Sequence, residues 1–76
     1  MKKQIFQIMS NLFDVPIEII NEKSSSDSIE TWDSLNHIRL IMSLEEKFNV
    51  TFTDDQIVDM LSVESILLKL KELGVE

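Results

Sequence analysis

The stretch Asp33-Ser34-Leu35-Asn36-His37-Ile38-Arg39-Leu40-Ile41-Met42-Ser43-Leu44-Glu45-Glu46-Lys47-Phe48 decides the reading of this chain. Its apolar residues recur at helical spacing, and Asp33 stands where an N-cap is expected, so it predicts a helix over Ser34–Lys47. At about 100° per residue the helix carries two apolar stripes. Leu40, Ile41, Leu44 and Phe48 cluster on one side; Leu35, Ile38 and Met42 cluster roughly opposite. A small domain buries one such side easily and rarely both. Ser34 opens the helix, so its hydroxyl lies among free backbone N–H groups and at the positive end of the dipole, which favours an attached phosphate.

Working toward the N-terminus, Ile5, Ile8, Met9 and Leu12, with Phe6 and Phe13, predict a first helix over about Lys3–Phe13. Pro16 stops it. Asp14 to Asp33 then forms a connection unusually long for a compact domain. Its serine-rich part, Ser24-Ser25-Ser26-Asp27-Ser28, is expected to be mobile, while Val15, Ile17, Ile19, Ile20, Ile29 and Trp32 anchor the rest to the core. The alternative to an exposed second stripe on the central helix is that this loop covers it, through Trp32 or Ile29.

Toward the C-terminus, Phe48-Asn49-Val50-Thr51-Phe52 reads as a short extended piece with Phe48, Val50 and Phe52 inward; without a partner strand it makes no sheet. Thr53 and Gln56 fit a capping box that opens a short third helix ending near Met60. Ser62 caps a fourth, with Val63, Ile66, Leu67, Leu70 and Leu73 as its buried stripe and Gly74 as its stop. The fold class is all-α: a four-helix bundle with a long loop after the first helix and a short third helix, in one domain over residues 1–76.

The chain has 76 residues and no cysteine, which removes disulfides and cysteine-based metal sites and suits a reducing cytoplasm. No run approaches the length of a membrane span, and Met1-Lys2-Lys3-Gln4-Ile5-Phe6 lacks a signal-peptide core, so a cytoplasmic protein without membrane partners is expected. The net charge is −7, from 14 acids and 7 bases, which disfavours nucleic acid. The imbalance lies between Asp27 and Glu64, around Ser34, and would steer a basic partner there.

Trp32-Asp33-Ser34-Leu35 through Leu44-Glu45-Glu46-Lys47-Phe48, together with the order of elements, resembles the acyl carrier protein family and the related peptidyl carrier domains over nearly the whole chain. The resemblance implies no catalytic activity. It implies a 4′-phosphopantetheine arm on Ser34, with Asp33 and Leu35 completing the motif, installed from coenzyme A by a phosphopantetheinyl transferase. Partners would be loading ligases and acyltransferase or synthase enzymes with basic docking patches, and the protein would be a monomer. Leu35, Ile38, Arg39, Met42, Glu45, Glu46, Asp54 and Asp55 would form the docking surface. Leu44, Ile57 and Met60 would shelter the acyl chain.

Asn36 and Arg39 stand where family members often carry acids, which points to a specialised or accessory biosynthetic pathway rather than standard fatty-acid synthesis. A peptidyl, aminoacyl or D-alanyl carrier with the same arm is the close alternative. An unmodified helical interaction module is the alternative from another class. His37, one turn from Ser34 on the core side, is within reach of the hydroxyl, but no third residue or Gly-rich turn completes a hydrolase site. Asp54, Asp55 and Asp59 lack the spacing of a calcium loop and form a solvated acidic face.

Overall fold

The computed structural model describes residues 2–75. Four α-helices follow in order: α1 Lys2–Phe13, α2 Ser34–Phe48, α3 Asp54–Asp59 and α4 Val63–Glu72, with a 3₁₀ turn at Ile17–Ile19. There is no strand among the described residues, so the all-α bundle with its long first loop and short third helix is what the chain forms.

The core follows from the spacing of apolar residues. Ile5, Met9 and Phe13 recur every four positions in α1 and are fully buried. They meet Leu40, Ile41 and Leu44 of α2, with Val63, Ile66 and Leu70 of α4 in the same cluster. α3 buries none of its six residues completely; Phe52 before it and Met60 after it are buried instead. Leu73, expected in the α4 stripe, lies beyond the helix end and is exposed rather than buried.

Side chains cap three of the helices at their starts. Asp33 accepts from the Asn36 N–H at 2.9 Å, and Ser62 Oγ accepts from the Ser65 N–H at 3.1 Å. Thr53 and Gln56 exchange two bonds in a capping box. The ends of α1, α2 and α4 share a single device. Asp14, Asn49 and Gly74 adopt left-handed backbone, and the next N–H turns back onto the carbonyl five residues earlier: Val15 to Ser10, Val50 to Glu45, and Val75 to Leu70. Only the last of these stops uses glycine, whose missing Cβ makes the conformation cheap. Phe48 accordingly belongs to the last turn of α2 and not to an extended piece; Val50 and Phe52 do turn inward.

The long connection wraps the bundle. Ile20, Ile29 and Trp32 are buried, whereas Ile19 is exposed. The serine-rich stretch is not the mobile segment expected from its composition. Ser24 is buried, its carbonyl accepts from the Val63 N–H, and the Ser26 N–H donates to the Leu61 carbonyl, both at 2.9 Å. These bonds make an isolated antiparallel bridge between Ser25 and Ser62. Serine permits this because its hydroxyls satisfy nearby backbone: Ser24 Oγ accepts from the Asn21 N–H, and Ser28 Oγ from the Ser25 N–H.

Candidate functional site

Ser34 is the first residue of α2 and is exposed. In the first turn, the N–H groups of Ser34, Leu35 and Asn36 have no partner within the helix, and the Asp33 carboxylate takes that of Asn36. The Ser34 and Leu35 amides thus remain beside the hydroxyl, a donor set suited to a phosphate ester on Oγ.

The turn before Ser34 is fixed from both sides. Thr31 Oγ1 donates to the Phe13 carbonyl at 2.7 Å, which ties the turn to the end of α1. The Asn36 side-chain amide donates to the Thr31 carbonyl at 2.8 Å, and Asn36 Oδ1 accepts from Arg39 at 3.5 Å. Asn36 therefore secures the turn with a donor that a carboxylate at that position would lack.

The two stripes of α2 differ sharply in exposure. Leu40, Ile41 and Leu44 are buried, and Phe48 is partly so. Leu35, Ile38 and Met42 remain 62%, 48% and 62% exposed. The loop does not cover them. Trp32 is buried instead against Phe13, with ring centroids 5.2 Å apart and nearly parallel planes.

Arg39, Glu46, Asp54 and Asp55 are exposed, as their sequence reading requires. Among the described residues the ion pairs are Lys2–Glu22 and Lys69–Glu72, so the acids of α2 and α3 are not held in such pairs. Glu45 differs from its acidic neighbours: its carboxylate accepts from the Phe52 N–H at 2.9 Å and fixes the segment between α2 and α3. Its spacing from Phe52 in sequence gave no hint of this.

His37 does face the core, but it does not pair with Ser34. Its Nδ1 accepts from Trp32 Nε1 at 3.0 Å, and Nε2 lies 2.8 Å from the Ile57 carbonyl. Both ring nitrogens are thereby engaged, which leaves none to activate the serine. Leu44 and Met60 are fully enclosed and Ile57 is half-buried, so these three residues form closed packing in this structure. No group of three or more potential metal ligands occurs among the described residues. No helix is long and apolar enough to cross a membrane, again among the described residues.

Four helices, with one exposed serine at the capped start of α2 beside an uncovered apolar stripe, define a small helical domain. No family model matches the chain. Over 55 residues it is 34% identical to an acyl carrier protein of Buchnera aphidicola subsp. Schizaphis graminum (strain Sg), a match covering 71% of this chain and 68% of that protein. Over 49 residues it is 39% identical to an acyl carrier protein of Buchnera aphidicola subsp. Baizongia pistaciae (strain Bp), covering 64% and 62% respectively. The chain belongs to the acyl carrier protein family. It is a carrier and not an enzyme.

Proposed function

We propose that Ser34 carries a 4′-phosphopantetheine arm and that the chain serves an accessory biosynthetic pathway as a monomeric, cytoplasmic acyl carrier. The observation that carries the reading is the exposed Ser34 hydroxyl at a capped helix start, with two backbone amides beside it. A transferase brings coenzyme A to this place. The Ser34 oxygen forms a bond to the phosphorus that bears the pantetheine, adenosine bisphosphate leaves, and the hydroxyl proton passes to a base of the transferase. When bound, the arm supplies a terminal thiol that holds an acyl group as a thioester.

The chain's own residues do the rest. Asp33 and Asn36 hold the attachment turn rigid through the bonds to Asn36 N–H and the Thr31 carbonyl. Leu35, Ile38 and Met42 offer partners an apolar strip, and Glu46, Asp54 and Asp55 favour basic enzyme patches. Met42 suits a surface used by several partners, because its unbranched side chain adapts to different grooves. Arg39 is the basis for assigning an accessory pathway, since a cation beside the strip opposes the basic patches of general synthesis enzymes.

The test is mass spectrometry after incubation with coenzyme A, magnesium and a broad-specificity phosphopantetheinyl transferase. The protein should gain one phosphopantetheine, and Ser34→Ala should gain none while remaining folded. An unchanged wild-type mass with several transferases would refute the carrier reading and favour an unmodified interaction module.

A further inference from the structure

α3 is weakly held for an element beside the attachment site. It has six residues, buries none of them completely, and exposes Val58, Asp54 and Asp55. A helix this short has no stability of its own. Its Thr53–Gln56 capping box is internal to the segment and fixes nothing relative to the rest of the bundle. Among the described residues, the side-chain hydrogen bond that joins α3 to another helix is the one between His37 Nε2 and the Ile57 carbonyl.

The geometry around His37 settles which nitrogen bears the hydrogen. An indole N–H can only donate, so His37 Nδ1, 3.0 Å from Trp32 Nε1, must present a lone pair. The hydrogen of the neutral ring is then on Nε2 and points to the Ile57 carbonyl, which also accepts the Met60 N–H at the end of α3. Trp32 in turn lies between Phe13 and His37, with ring centroids 5.2 Å and 6.1 Å away. One column of three rings therefore connects the end of α1, the turn before Ser34, the first turn of α2 and the last turn of α3.

We propose that His37 is a positioning residue: its Nε2–H imidazole ties α3 to the Ser34 end of α2 and holds the two parts of the partner-facing surface in one arrangement. The inference rests on the proposed modification of Ser34 for its functional consequence, though not for the tie itself. The ring does not touch the reacting atoms. It fixes where Asp54, Asp55 and Val58 stand relative to Ser34 and Leu35, so a partner that reads both helices meets a preorganised surface.

Two substitutions separate the two bonds. His37→Asn keeps an acceptor near the position of Nδ1 for Trp32 but falls short of Ile57. His37→Gln places an amide N–H near the position of Nε2 and gives up the Trp32 bond. In His37→Asn, the amides of α3 should exchange with deuterium about tenfold faster, with Trp32 emission nearly unchanged. In His37→Gln, α3 should exchange near the wild-type rate while Trp32 emission shifts.

With a phosphopantetheinyl transferase, KM for the His37→Asn protein should rise about fivefold at nearly constant kcat, and His37→Gln should restore most of that loss. Equal α3 exchange in His37→Asn and wild type would overturn the tie. Equal KM increases in the two variants would overturn the positioning role. Should His37→Asn not fold, ¹⁵N shifts of the wild-type imidazole decide the matter: a hydrogen on Nδ1 contradicts the tie, and one held on Nε2 supports it. The exchange and ¹⁵N measurements need no transferase, so their failure is distinguishable from failure of Ser34 modification.

Discussion

The two sides of α2 are alike in composition and opposite in fate. Leu40, Ile41 and Leu44 disappear beneath α1 and α4, while Leu35, Ile38 and Met42, at interleaved positions on the same helix, stay in solvent. Hydrophobicity does not distinguish them; the supply of covering chain does. The long loop has large apolar groups to offer, but Trp32 and Ile29 go into the core. A chain this small runs out of material to cover a second stripe, and an uncovered strip flanking Ser34 is the result.

That contrast can be broken by truncating each side in turn. Leu44→Ala leaves a cavity among fully enclosed neighbours and should cost about 2–5 kcal/mol by chemical denaturation. Met42→Ala removes a side chain that is mostly in water and should change stability by no more than about 0.5 kcal/mol. Similar losses at the two positions would show that the second stripe is buried in solution, and the docking strip would have to be given up.

Arg39→Glu sharpens the comparison with the smallest expected effect on folding. Arg39 is exposed, and its 3.5 Å bond to Asn36 is at the long limit of such contacts, so the melting temperature should barely move. The effect should appear in partner recognition. Transfer by general fatty-acid synthesis enzymes should improve, and their binding should become more sensitive to salt. Efficient elongation of the wild-type protein by those enzymes would remove the case for an accessory pathway.

What was legible in the sequence was local. Asp33, Thr53 and Ser62 announce helix starts because a cap bonds within three residues of itself, and Gly74 announces a stop because few residues tolerate its backbone. Asp14 and Asn49 also take left-handed backbone, which Asp and Asn tolerate better than other non-glycine residues, but both are so common in loops that neither marks a stop by itself. Partners distant in sequence were likewise hidden. His37 had Ser34 within reach one turn away, yet it bonds Trp32 across the turn and Ile57 on another helix, where burial makes both bonds more valuable. At the site, periodicity marks Leu35, Ile38 and Met42 as a second apolar stripe, whereas their exposure and the roles of Asn36 and Glu45 depend on three-dimensional contacts.

The bridge at Ser25 and Ser62 bears on how the molecule comes apart. It joins the middle of the loop to the start of α4, two places far apart along the chain, so its hydrogen bonds exist only after a large ring has closed. Neither half of the loop is then long by ordinary standards. The order of the loop is contingent on the seating of α4, and the two should open as one cooperative unit. The amide protons of Ser26 and Val63, one on each side of the bridge, would then exchange at a common rate under native conditions. A Ser26 amide that exchanges freely while Val63 stays protected would show that the loop unfastens alone.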